Sequence, residues 1–130
     1  MKNILLVEDD RKLSVALSLR LNAMGFSVST ATDATCAMGE VLRSRPDAML
    51  IDINLPGGNG FLVADRVRAL NQVSATPLIF ITASKKSGLR DRADQYDAVE
   101  FLEKPFGAAE LALAIDKCLG EPADFKKRNV

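Results

Sequence analysis

Five short apolar runs punctuate the chain, and amphipathic stretches fill the gaps between them. The runs are Asn3–Val7, Phe26–Thr30, Ala48–Ile51, Leu78–Ile81 and Val99–Leu102. Three are almost continuously apolar, as expected of strands covered on both faces of a parallel sheet. Phe26–Thr30 alternates and carries serines, which suits an edge strand. Between the runs, Leu13, Ala16, Leu17, Leu21 and Met24 recur at helical spacing, and Gly25 stops that helix. Ala34, Ala37, Met38, Val41 and Leu42 form a second stripe, with Asp33 as its N-cap and Pro46 at its exit. Asn59 caps a third helix with Val63, Ala64, Val67 and Leu70 inward, and Leu111, Ile115, Cys118 and Leu119 mark the last. Lys85–Gln95 is polar, with Leu89 and Ala93 as its anchors, and reads as a marginal, mobile helix. The strict (βα)₅ alternation predicts an α/β, doubly wound sandwich with right-handed crossovers.

At 130 residues, the chain has the size of one ordinary domain. Its body is expected over residues 1–120, with 121–130 a polar tail or the start of a linker. Lys plus Arg equals Asp plus Glu at 17 each. That balance argues against direct nucleic-acid or membrane-surface binding, both of which rest on a basic field. No leader-like segment or long apolar stretch is seen, so a cytoplasmic protein is expected. Cys36 and Cys118 lack metal-ligand spacing and read as reduced core residues. Histidine is absent, which removes imidazole bases, imidazole metal ligands and a phosphohistidine carrier. Chemistry here must run on carboxylates, hydroxyls, lysine and a metal.

In open sheets of this kind, the working crevice lies beyond the carboxyl ends of the strands. Glu8, Asp9 and Asp10 follow the first strand, and Asp52 follows the third in "MLIDINLPGGNG". Thr82, Ala83 and Ser84 follow the fourth, and Lys104 and Pro105 the fifth. Glu8, Asp9 and Asp52 would therefore converge, and three carboxylates in one pocket repel one another. Lys104 offsets one charge and a divalent cation would offset two. Oxygen donors without Cys or His point to Mg²⁺, with Mn²⁺ the alternative.

These residues resemble the receiver domain of two-component response regulators across about residues 2–120. The resemblance rests on the acid pair, the Asp before an "LP…G" loop, "TA" after strand four and "KPF" after strand five. Glu8, Asp52, Thr82 and Lys104 also stand at family spacing, 44, 30 and 22 residues apart in turn. The resemblance implies a flavodoxin-like sheet of order 2-1-3-4-5. Helices one and five would then cover one face and helices two to four the other, placing Cys36 and Cys118 on opposite faces. It further implies that Asp52 is the phosphoacceptor, charged from the phosphohistidine of a sensor histidine kinase or phosphotransfer protein. Glu8, Asp9, Asp52 and the backbone carbonyl of Asn54 would hold Mg²⁺. Lys104 would bond a phosphoryl oxygen, Thr82 and Phe101 would be the switch pair, and the Lys104–Pro105 bond would be cis. The surface of helix four, strand five and helix five would then change for a downstream output domain or protein, or for a homodimer. Asn54 and Ser84, both small and neutral, would face the hydrolytic water and leave the acyl phosphate an ordinary lifetime. The chain departs from the family at Asp97, where a glycine is usual.

Each piece also has a bland reading. Acids at a helix start can simply be caps, the role expected of Asp10; Thr82 can be a strand-end hydroxyl, Lys104 a solvated lysine and Phe101 core. The basic run Lys126–Arg128 reads as a solvated tail. Two further classes compete. A haloacid-dehalogenase-like phosphohydrolase needs a second Asp two residues past its nucleophile, where this chain has Asn54, and a nucleophile after the first strand. A pseudo-receiver that only docks proteins would not need the full acid, threonine and lysine set. The preferred reading is a signalling switch whose chemistry is self-directed phosphotransfer and autodephosphorylation, without turnover of an external substrate.

Overall fold

The computed structural model describes residues 1–84, 88–96 and 99–120. Five parallel strands form one sheet: β1 (Asn3–Val7), β2 (Ser27–Ala31), β3 (Ala48–Asp52), β4 (Leu78–Thr82) and β5 (Val99–Glu103). Their spatial order is β2-β1-β3-β4-β5, with every neighbouring pair parallel. The expected strands are all present, and the alternating segment is an edge. It starts one residue later than its pattern suggested, because the Phe26 N–H bonds back to Leu21 O at the end of α1.

Helices α1 (Arg11–Ala23), α2 (Ala34–Ser44), α3 (Gly60–Ala69), α4 (Leu89–Ala93) and α5 (Ala108–Leu119) connect and cover the strands. Side chains alternate across a pleated strand, and the core divides accordingly. Leu5, Val7, Met49, Ile51, Leu78 and Phe80 face α2, α3 and Ala93 of α4. Ile4, Leu6, Leu50, Ile79 and Ile81 face α1 and α5. Local signals set the helix ends. Asp10, Asp33 and Asn59 each accept backbone N–H bonds as N-caps, and Gly120 closes α5 with a left-handed φ of 65°.

Several expectations change. Ala16 and Leu42 are exposed, because each lies at the margin of its helical stripe and the sheet contacts only its centre. Cys36 is also exposed, since it sits in the first turn of α2 on the solvent side. Cys118 packs half-buried against the α1–α5 face; the thiols are free and lie on opposite sides of the sheet. The fourth helix is shorter than its pattern suggested. Asp97, Lys85–Ser87 and the tail from Glu121, including Lys126–Arg128, lie outside the described residues. Among the described residues, no helix is long and apolar enough to cross a membrane.

Candidate functional site

The ladder continues one residue past the strand ends, and this places the chemistry. Glu8 N–H donates to Ala31 O at 3.0 Å, Ile53 N–H to Ile81 O at 2.9 Å, and Lys104 N–H to Thr82 O at 2.8 Å. The residues that end β3 and β4 and follow β1 and β5 therefore share one rim. Carboxylate oxygens of Glu8, Asp9 and Asp52 all lie within 4.8 Å of one another. Glu8 and Asp52 are buried, while Asp9 is exposed on the solvent side.

Lys104 ties the cluster together. Its Nζ donates to Asp52 Oδ2 at 2.7 Å and to Glu8 Oε1 at 2.8 Å. The second Asp52 oxygen, Oδ1, accepts from Asn54 N–H at 2.9 Å. Glu8 Oε2 accepts from Asp10 N–H at 3.2 Å, while the Asp10 carboxylate caps α1 through Lys12 and Leu13 N–H. Burial pushes Glu8 up to about 7; the Lys104 hydrogen bond opposes this and the neighbouring Asp52 adds to it. Burial alone would lower Lys104, but its bonds to Asp52 and Glu8 together outweigh that and hold it above its ordinary value. One lysine therefore leaves the buried negative charge incompletely balanced. An oxygen-only donor set with an exposed side suits a hard divalent cation that keeps some of its water.

The loop after Asp52 turns back on itself, pairing Asn54 with Asn59 and Leu55 with Gly58. Gly57 and Gly58 make that turn with φ of 76° and 140°, which side chains rarely adopt. Gly60 then lets α3 approach the strand: a Cβ there would lie 2.6 Å from the Asp52 carbonyl oxygen. Thr82 is fully buried, and its Oγ1 accepts from Ser84 N–H at 3.0 Å. The Lys104–Pro105 bond is cis. Phe101 is half-buried on the α2–α4 side, with the Arg90 guanidinium 4.8 Å above its ring.

The structure thus brings Glu8, Asp9, Asp52 and Lys104 to one cluster, with Thr82 ending β4 and Asn54 and Ser84 just past the ends of β3 and β4. Phe101 stands apart on β5. Sequence reasoning missed the close approach at Gly60, where "GGNG" signals only a turn. It also missed Arg90 and Tyr96, since no local pattern marks a cation over a ring or a tyrosine seated on a distant helix.

The model of the response regulator receiver domain matches residues 4–116. The chain belongs to that family. This receiver is 34% identical over 133 residues to the DNA-binding response regulator MtrA of Mycolicibacterium paratuberculosis, covering 95% of this chain and 56% of that protein. The chain spans about half the length of the curated relatives it matches. Among solved structures, the receiver domain of sensor histidine kinase PA1611 from Pseudomonas aeruginosa is similar at TM-score 0.83 and 31% identity. The alignment covers 92% of this chain and 98% of that one, and that structure has a magnesium ion coordinated in its active-site cleft. The chemotaxis protein CheY4 of Vibrio cholerae gives TM-score 0.85 at 27% identity, over 92% of this chain and 99% of that one. The Glu8, Asp9 and Asp52 cluster matches a receiver's Mg²⁺ site in donor chemistry and position.

Proposed function

We propose that this receiver is a phosphorylation-driven switch that takes a phosphoryl group onto the Asp52 carboxylate from the phosphohistidine of a sensor kinase or phosphotransfer protein. The observation that carries this reading is the Lys104 ammonium bridging Asp52 and Glu8 at 2.7 and 2.8 Å, beside a third acid. Glu8, Asp9, Asp52 and the Asn54 carbonyl would hold Mg²⁺. When bound, Mg²⁺ supplies positive charge that offsets the charge on the phosphoryl oxygens.

The chain's own residues do the rest. An Asp52 oxygen attacks phosphorus, the P–N bond to the donor imidazole breaks, and an acyl phosphate forms. Asn54 N–H and Lys104 Nζ already hold the two Asp52 oxygens and so fix the nucleophile's orientation. Lys104 then follows the new negative charge onto a phosphoryl oxygen. Thr82, buried at the end of β4, would turn its hydroxyl to donate a hydrogen bond to a phosphoryl oxygen, and the space it leaves would admit the Phe101 ring. Water later attacks the acyl phosphate, releasing inorganic phosphate and restoring the carboxylate. Asn54 and Ser84 present little bulk to that water, which supports hydrolysis at an ordinary rate. The chemistry is self-directed; no external substrate is turned over.

The output surface would be the face of α4, β5 and α5. A cleft of about 290 Å³ there is lined by Arg90, Glu100, Phe101, Leu113 and Lys117, among others. Both charge signs and the exposed Leu113 suit docking of an output domain or protein, or of a second copy of this chain. Mass spectrometry after mixing with acetyl phosphate and Mg²⁺ tests the reading. A gain of one phosphate that is lost in Asp52→Asn supports it; equal labelling of Asp52→Asn refutes it.

A further inference from the structure

α4 is a five-residue helix, and no side chain caps its N-terminus. A helix that short has little stability of its own, so its position must come from what it leans on. Its last residue, Ala93, is buried in the core. Arg92 lies 4.3 Å over the Phe61 ring, and Arg90 lies 4.8 Å over Phe101. Tyr96, just past the helix, stacks on Phe61 at 6.1 Å and 7° and meets Phe80 at 5.6 Å and 55°. Its hydroxyl donates to Asp65 Oδ1 at 2.5 Å, a charge-assisted bond to a neighbouring turn of α3. Phe61 directly follows Gly60, whose backbone packs on the Asp52 carbonyl and bonds Ile53 O. The aromatic stack therefore touches the acid cluster's backbone at one end and α4 at the other.

We propose that the Tyr96–Asp65 hydrogen bond is a latch that holds α4 on α3 while Asp52 is unmodified, and that releasing it favours the phosphate-bound arrangement. The proposal rests on Asp52 being the phosphoacceptor. Tyr96 is a positioning residue, acting through Phe61 and α4 and not on the reacting atoms. Burial, then the bond to the Asp65 carboxylate, push its phenol up to about 12. The hydroxyl thus stays protonated, and a donor, at physiological pH. Coupling of this kind needs two arrangements that bind the ligand differently.

The test compares Tyr96→Phe, which keeps the ring, with Asp65→Ala at an exposed position, using the whole chain. Each protein is titrated calorimetrically with Mg²⁺ alone, then with beryllium fluoride at saturating Mg²⁺ as a phosphoryl mimic. Losing the latch raises the competent fraction, so beryllium fluoride should bind about fivefold tighter in each variant. Mg²⁺ affinity should stay unchanged. The double variant should match Tyr96→Phe, because Tyr96→Phe already removes the bond to Asp65 together with the longer 3.4 Å contact to Phe61 O. Unchanged or weakened beryllium fluoride affinity overturns the latch, as do equal shifts in both affinities or additive single effects. A wild type that binds no beryllium fluoride overturns the reading of Asp52 and the latch with it. A wild type that binds it beside variants that behave identically overturns the latch alone.

Discussion

Replacing Gly60 by alanine should break the contact that seats α3 against the acid cluster. The added Cβ would meet the Asp52 carbonyl oxygen at 2.6 Å, Ile51 Cγ2 at 3.0 Å and Ile53 Cα at 3.0 Å. Two of those three atoms are backbone and cannot rotate away. Alanine over glycine in a helix would by itself contribute up to about 1 kcal/mol of stability. Forcing one carbon into a filled space costs about 1–3 kcal/mol. The clash should win, leaving Gly60→Ala less stable by about 1–2 kcal/mol. Gly39 supplies the internal control. It lies within α2, where a Cβ would meet nothing within 4 Å. Gly39→Ala should therefore stabilise by about 0.5–1 kcal/mol. Urea unfolding at a common m value measures both, and a Mg²⁺ titration shows whether the displaced Asp52 backbone weakens the cluster. Equal stability of the two variants would refute the reasoning, since only the neighbours of the new methyl group differ.

Glu8 makes the metal-free protein pH-sensitive. Its folded value of about 7 lies above the ordinary 4.5, so the folded state holds that proton more tightly than the unfolded chain does. In chelator, stability should fall as pH rises from 4.5 to 7, by at most about 3 kcal/mol, and level off above; a slope in Glu8→Gln as steep as in the wild type would contradict this. The cysteines should differ in reactivity. Burial, then Glu100, push Cys118 up to about 12, whereas Cys36 is exposed and raised by its bond to Asp33. Iodoacetamide at pH 8 should label Cys36 first and Asp33→Asn should speed that labelling, with peptide mass spectrometry as the measure; equal labelling of both thiols would place Cys118 wrongly.

Most of the fold was legible because few competing forces act on it. Continuous apolar runs such as Met49–Ile51 have one stable home, between two helical layers. The rim acids were legible because buried like charges have so few explanations. Ala16, Cys36 and Leu42 were misplaced because helical periodicity gives a stripe's direction but not its width. Arg90, Arg92 and Tyr96 were invisible for another reason. Each is a polar or amphipathic side chain whose partner, Phe101, Phe61 or Asp65, is supplied by tertiary packing. The same holds for Gly60, whose need for a bare Cα appears only once β3 and α3 are side by side.

The three backbone hydrogen bonds that run past the strand ends have a mechanical consequence. Glu8, Ile53 and Lys104 are stitched to adjoining chain segments, so the rim cannot loosen unless the sheet unzips beside it. The acids thus sit on an anvil. Movement on signalling is then expected of side chains and of the helices around it more than of the main chain beneath the carboxylates.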